Sequence, residues 1–283
     1  GMGSTDMAYI FAFGETWLRV PPTIAIRFHG TPRKYVASKD YILAALGRLG
    51  VDGARYKAIE FSGPALSALS MDERMTVTNM SIEMGAKAGM IQPDAATEAY
   101  VRARTPDSYE VVRSDPDACF DRELDIDVGA MGPLVAKPYL PGNVVPLSEV
   151  RGTRVTQVTL GTCTNGRLID LEQAAEILRG RKVAPGVRFY VTPATKFVYE
   201  KAMKAGLLEQ FWDAGAIINA PGCGPCDGLV GAMTGNDVCV ATHNRNFRGR
   251  MGHKDAQIYL ASPYVAAASA VAGAIMDPME VMQ

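Results

Sequence analysis

Apolar residues along this chain recur with two periods, one helical and one of the strand. Met7, Ile10, Phe11 and Leu18 share one face of a helix predicted over residues 5–18, which Pro21-Pro22 stops. Ile24, Ile26 and Phe28 then alternate as in a strand over 23–28. Ser38 is placed to cap a helix over 39–49 that Gly50 ends, and residues 58–61 read as a short strand. Ser70-Met71-Asp72-Glu73 has the form of a capping box and opens a long helix expected to close near Gly89. Another helix is predicted over 93–104. Residues 105–150 hold prolines at 106, 116, 133, 138, 141 and 146 and little periodicity, so a domain boundary is expected near their end.

From Val155 onward strand, loop and helix alternate. Strands are predicted at 155–160, 187–191, 216–218, 237–242 and 258–260, and helices at 168–178, 196–205 and 263–273, the last entered through Ser262-Pro263. Such alternation predicts an α/β layer domain with a parallel sheet. Ligands of these sheets sit beyond the carboxyl ends of the strands. Cys163, the pair Cys223 and Cys226, and the loop Asn244–Arg250 each follow a predicted strand, so one rim can gather them. The expected division is residues 1–22 as the remnant of an upstream domain, 23–150 as a first α/β domain carrying Glu83, and 151–283 as a second carrying the cysteines and the arginine loop. Gly1-Met2 is given no structural weight.

Composition narrows the class. Lys+Arg numbers 29 against 30 Asp+Glu in 283 residues, which gives no reason to expect nucleic acid or an anionic membrane as partner. The Ala-rich run 265–275 is too short to span a bilayer, and the apolar patch 7–13 has no basic flank of a secretory signal. Five cysteines are a sparse, odd count, unlike a secreted disulfide scaffold, so a soluble cytoplasmic protein is expected.

Candidate chemistry centres on Gly222-Cys223-Gly224-Pro225-Cys226, where glycine and proline shape a loop that holds two sulfurs in one direction. A thioredoxin-like dithiol would open a helix in a compact βαβ domain, and here Asp227-Gly228 follows at once. Structural zinc wants four ligands, and only one Cys-x-x-Cys pair exists. Cys163, in the small-residue loop Gly161–Gly166, is the better partner. Three thiolates on two loops suit a [4Fe–4S] cube with one iron left open to act as a Lewis acid. Cys239, between Val238 and Val240, reads as a small buried hydrophobe, and the isolated Cys119 is read the same way. Asn79 and Glu83 lie four apart and would share a helix face, though a helical glutamate is ordinarily only surface. Arg245, Arg248 and Arg250 fit a solvated run or a carboxylate-binding loop. Of the three histidines, His243 is singled out because it precedes that loop.

Taken together, these motifs resemble the aconitase family over nearly the whole chain. The resemblance rests on Gly161-Thr162-Cys163-Thr164-Asn165-Gly166, Gly222–Cys226, Asn244-Arg245-Asn246-Phe247-Arg248-Gly249-Arg250, and Met75–Met80 leading to Glu83. Within the family the chain is similar to the branch of 3-isopropylmalate, homoaconitate and 2,3-dimethylmalate dehydratase large subunits. The resemblance implies an aconitase-type fold of two α/β layer domains with parallel or mixed sheets. It also implies dehydration and rehydration of a hydroxy-dicarboxylate or tricarboxylate, in leucine biosynthesis for the isopropylmalate members. It assigns Cys163, Cys223 and Cys226 to a [4Fe–4S] cluster, with Asn79 and Asn244 near it. Glu83 would assist the hydroxyl chemistry, and Arg245 and Arg250 would bind substrate carboxylate. A separate small subunit, the swivelling domain, would supply the serine base. Two parts of the family pattern have no counterpart here, this small domain and an upstream segment with its histidines, so the chain alone is expected to be inactive. The rival expectation is a zinc-binding or metal-free assembly domain.

Overall fold

The structure, a computed structural model, describes residues 3–283; residues 1 and 2, at the start of the expected remnant 1–22, lie outside the described residues. Two sheets organise the chain. The first is 4-stranded, ordered β3-β2-β1-β4, from β1 (Thr23–His29), β2 (Ala58–Ser62), β3 (Ala88–Ile91) and β4 (Arg122–Asp127), all parallel. The second is 7-stranded, ordered β6-β5-β11-β10-β7-β8-β9. It comprises β5 (Leu134–Ala136), β6 (Val144–Pro146), β7 (Gln157–Gly161), β8 (Arg188–Thr192), β9 (Ile217–Ile218), β10 (Val238–Ala241) and β11 (Gln257–Leu260). Its pairs are parallel except at β5 and β6, where a hairpin runs antiparallel along one edge. The mixed α/β class expected from the alternation is therefore present, with β5 and β6 entering the second sheet from residues before 150.

The helices are α1 (Ser4–Phe13), α2 (Ser38–Leu49), α3 (Pro64–Ser67), α4 (Met71–Asn79), α5 (Ala95–Arg102), α6 (Thr162–Asn165), α7 (Leu168–Leu178), α8 (Lys196–Lys204), α9 (Leu207–Ala214), α10 (Gly224–Asp227), α11 (Pro263–Ala272) and α12 (Pro278–Val281). Three expectations need correction. The first helix stops at Phe13, where Gly14 takes a left-handed conformation, and none of its residues is buried. Its apolar stripe thus meets no core in this chain. The capping box at Ser70 is present, with Glu73 Oε2 accepting from the Ser70 amide at 2.9 Å. The helix it opens ends at Asn79, however, and tightens into a 3-10 turn over Met80–Met84. Gly85, also left-handed, turns the chain so that β3 can pair with β2. The weakly patterned stretch also hides β4: Leu124 and Ile126 alternate with charged residues, and in strand form they meet β1.

α2 explains how the two layers join. Ser38 to Leu43, Ala45 and Leu46 are all buried, around the whole circumference rather than along a stripe, as in a helix with protein on every side. It packs against α4 and the turn after it, and against β5 and β6 of the second sheet. One apolar core accordingly runs from Ile24, Ile26, Phe28, Ile59 and Phe61 through Tyr41 and Leu46 to Cys239, Ala241, Ile258 and Leu260. A second core lies on the other face of the larger sheet, between β7, β8, α7 and α11. Among the described residues no helix is long and apolar enough to cross a membrane.

Candidate active site

The carboxyl ends of β7, β9 and β10 deliver the three loops singled out above. At the end of β7, Gly161 has φ +118°, and a Cβ there would lie 2.0 Å from the Thr192 carbonyl oxygen. Only glycine lets the chain turn so close to β8, and Thr162 follows with a positive φ of its own, 62°. The turn sets Cys163 outward, exposed. Its neighbours are locked from two sides. Thr76 Oγ1 of α4 donates to the Thr164 carbonyl at 3.0 Å, and the buried Asn165 donates through Nδ2 to Asp170 Oδ1 of α7 at 2.8 Å.

Beyond β9, Asn219 bonds back to Val191 and Thr192 of β8, and the chain enters the second cysteine loop. Cys223 is exposed and precedes the single turn of α10; Cys226, inside that turn, is buried, and its amide donates to the Cys223 carbonyl at 2.8 Å. Gly228 ends the turn at once, so no helix extends from this dithiol as thioredoxin chemistry would want. Arg250 reaches across from the β10 loop, its Nε 2.9 Å from the Cys226 carbonyl and its Nη2 3.5 Å from the Cys226 sulfur. Burial pushes the Cys226 thiol up, Arg250 opposes the shift, and the nearby Cys163 and Cys223 add to it. All five cysteines are free thiols. Cys239 is fully buried in β10, as expected, and its thiol is pushed up to about 12 by burial. Cys119 is exposed, against expectation, because it sits in the loop between α5 and β4 rather than in a strand. Among the described residues no three Cys, His, Asp or Glu side chains close on a point where a single metal ion would sit.

The first sheet contributes the opposite wall. Asn79 and Glu83 do not share one regular helix, since the turn tightens between them, yet both reach the β10 loop. Asn244 Nδ2 donates to Asn79 Oδ1 at 2.6 Å, and Arg245 Nε donates to Glu83 Oε1 at 2.9 Å. The Glu83 side chain is 3% exposed while that of Arg245 is 41% exposed, so the pair has one sealed and one accessible member. Burial raises the Glu83 carboxyl above its ordinary value; Arg245, Lys39 and Asn244 pull it back. Arg248 lies over the Tyr139 ring, away from this contact.

The sequence points to neither Lys39 nor Asp170, whereas Thr76, Asn165 and His243 lie in or beside the motifs singled out above. Lys39 lies in α2, fully buried, with Nζ donating to the carbonyls of Thr242 at 2.8 Å and His243 at 2.6 Å. Asp170, Asn165 and Thr76 hold the Cys163 loop. His243 is fully buried with neither ring nitrogen hydrogen-bonded, and burial holds its imidazole down at about 3. The one signal for Lys39 was its place beside Asp40 at the start of an otherwise apolar helix.

Thiols and arginines gathered at the carboxyl ends of the chain's strands stand where α/β proteins commonly bind ligands. The aconitase family model (aconitate hydratase) matches residues 1–152 and 148–273. The chain belongs to the aconitase family. It is 51% identical over 282 residues to the 3-isopropylmalate dehydratase large subunit of Sulfurihydrogenibium sp., covering 99% of this chain and 65% of that protein. With the protein of the same name from Nitratidesulfovibrio vulgaris it shares 53% identity over 98% of this chain and 66% of the relative. The 3-isopropylmalate dehydratase large subunit 1 of Pyrococcus furiosus is 50% identical over 100% and 68%, respectively. The chain thus spans about two thirds of the length of these relatives. A crystal structure of Thermococcus kodakaraensis aconitase X in its holo form aligns at TM-score 0.45 and 12% identity over 83% of this chain and 53% of that one, a likeness too distant to bear on the site.

Proposed function

We propose that this chain is the large-subunit part of a hydro-lyase that removes water from a hydroxy-dicarboxylate and adds it back, 3-isopropylmalate being the substrate favoured by the names of its relatives. The observation that carries the reading is the meeting of Glu83 with Arg245, and of Arg250 with Cys226, on one rim.

The donor set fits a [4Fe–4S] cluster. Cys163, Cys223 and Cys226 are free thiols on two loops of the same rim, the soft sulfur donors such a cluster takes. Such a cluster, when bound through three cysteines, supplies a Lewis-acidic iron for a departing hydroxyl. The chain's own residues do the rest. Arg245, accessible on one side, and Arg250 offer guanidinium groups to substrate carboxylates. Glu83, sealed from bulk water and bonded to Arg245, is placed to pass a proton to the leaving hydroxyl and to take one from the returning water. Asn79 and Asn244 fix the wall beside it. The base that removes the proton α to a carboxylate comes from a separate small subunit, and the protein works in the cytoplasm.

The test is anaerobic loading with iron and sulfide, then assay with a small subunit on 3-isopropylmalate, homoaconitate and 2,3-dimethylmalate. The same cysteine substitutions are made in this chain and in a full-length relative. Brown colour lost in Cys163→Ser, Cys223→Ser and Cys226→Ser, but kept in Cys119→Ser, is the expected result. A colourless wild type that binds zinc with equal affinity in all variants would leave the assembly-domain reading instead.

A further inference from the structure

We infer that Lys39 is a positioning residue for the corner that carries Asn244 and Arg245, gripping the backbone of that corner from the helix packed between the two sheets. The basis is geometric. Lys39 stands in the first turn of α2, between the two sheets, and its side chain is fully buried. Its ammonium donates to two successive carbonyls, those of Thr242 and His243, just beyond the end of β10. The next two residues are Asn244 and Arg245, bound to Asn79 and Glu83. Fixing two consecutive carbonyls fixes the peptide planes on which the next side chains are mounted.

The contrast with Arg74 sharpens the point. Arg74 is also buried, but it has a carboxylate partner, bonding Asp94 through both terminal nitrogens at 2.8 Å each. Lys39 takes part in none of the ion pairs among the described residues, the widest of which reaches 4.0 Å. Burying an amine without a carboxylate partner is unfavourable in desolvation. Here the acceptors are carbonyls; burial lowers the Lys39 amine to about 7, and Asp170, Cys163, Glu83 and Cys226, all at or beside the candidate site, oppose that shift. A methionine or leucine would fill the same space between the sheets without that cost. What it would not do is hold the Thr242 and His243 carbonyls.

The consequence for ligand binding rests on the proposed role of Arg245, whereas the positioning itself does not. The experiment therefore has two arms. In the first, the 283-residue chain and its Lys39→Met and Lys39→Gln variants are compared, metal-free, by amide hydrogen exchange. Lys39→Met is expected to speed exchange over residues 242–250 at least tenfold with β7 and β8 unchanged, and Lys39→Gln, which keeps a donor, to recover part of the protection. Unchanged exchange over 242–250 in Lys39→Met overturns the inference. If Lys39→Met does not fold, Lys39→Gln is held to the same criterion, with faster exchange confined to 242–250 expected and no change decisive against it. In the second arm, the matching substitution in an active full-length relative should raise KM for the hydroxy acid at least tenfold with a smaller change in kcat, the mark of a misaimed binding arginine. Should kcat fall with KM unchanged, the link to ligand binding fails. A wild-type chain that stays colourless on anaerobic loading with iron and sulfide would overturn the proposed function while leaving the exchange result to decide on Lys39.

Discussion

Asn79 and Asn244 lie 165 positions apart in the chain and meet through one hydrogen bond of 2.6 Å. It joins the last residue of α4 to the loop after β10, so each layer of the molecule is registered against the other at the candidate site itself. Replacing Asn244 by alanine removes the bond and leaves the Asn79 amide oxygen without this donor. A loss of about 1 kcal/mol is expected from urea unfolding. A variant as stable as wild type would show that the contact contributes nothing to folding.

Gly161→Ala tests the turn that presents Cys163. Its φ of +118° and the 2.0 Å approach of a Cβ to the Thr192 oxygen leave no room for relaxation against backbone. The substitution is expected to cost roughly 2–4 kcal/mol. Gly180→Ala, at φ +69° with nothing within 4 Å, serves as control and should cost roughly 1–2 kcal/mol from its backbone conformation alone. Equal losses in the two variants would remove the steric part of the argument.

Much of this was legible in advance, and the failures are informative. The cysteine and arginine loops were found because small residues and rigid turns interrupt otherwise regular strands. Glu83 was found through its motif, since a lone glutamate after a helix says nothing of burial. The break of the helix at Asn79 was hidden because Met80 to Met84 keep good helix formers, and tertiary contact with the β10 loop overrides their propensity. β4 was missed because Arg122, Glu123, Asp125 and Asp127 alternate with only two core-facing residues on an edge strand. Lys39 was out of reach for a different reason. The first turns of α2, buried on all sides, carry no polar face by which to judge where its one lysine points.

His243 makes acid stability dependent on one side chain. Its imidazole is held at about 3 in the folded protein, mainly by burial and then by Lys39 and Arg250, against 6.5 as its ordinary value. A depressed base of this kind contributes fully above pH 6.5, and that contribution is lost as pH falls from 6.5 toward 3. Urea midpoints of wild type and His243→Gln across this range should therefore converge or cross as the pH drops. A constant difference from neutral to acid pH would show that the imidazole does not resist protonation in the folded state.

Thiol labelling separates the five cysteines by environment. With a small alkylating reagent on the native, metal-free protein, exposed Cys119, Cys163 and Cys223 should react first. Cys226, buried and with its thiol pushed up, should react more slowly, and Cys239 only after unfolding. Mass spectrometry of the labelled peptides reads the order directly. Early modification of Cys239 would contradict its place in the core.

The burial of α2 on every side bears on how the chain can be divided. A helix that serves as floor to one sheet and ceiling to the other cannot be awarded to either half. Severing the chain between β4 and β5 would strip an apolar flank from the first piece, which keeps α2, and it would uncover Cys239, Ala241 and Leu260 on the second. Neither product would be self-sufficient, and melting of the intact protein should run as one event in which both sheets lose order together.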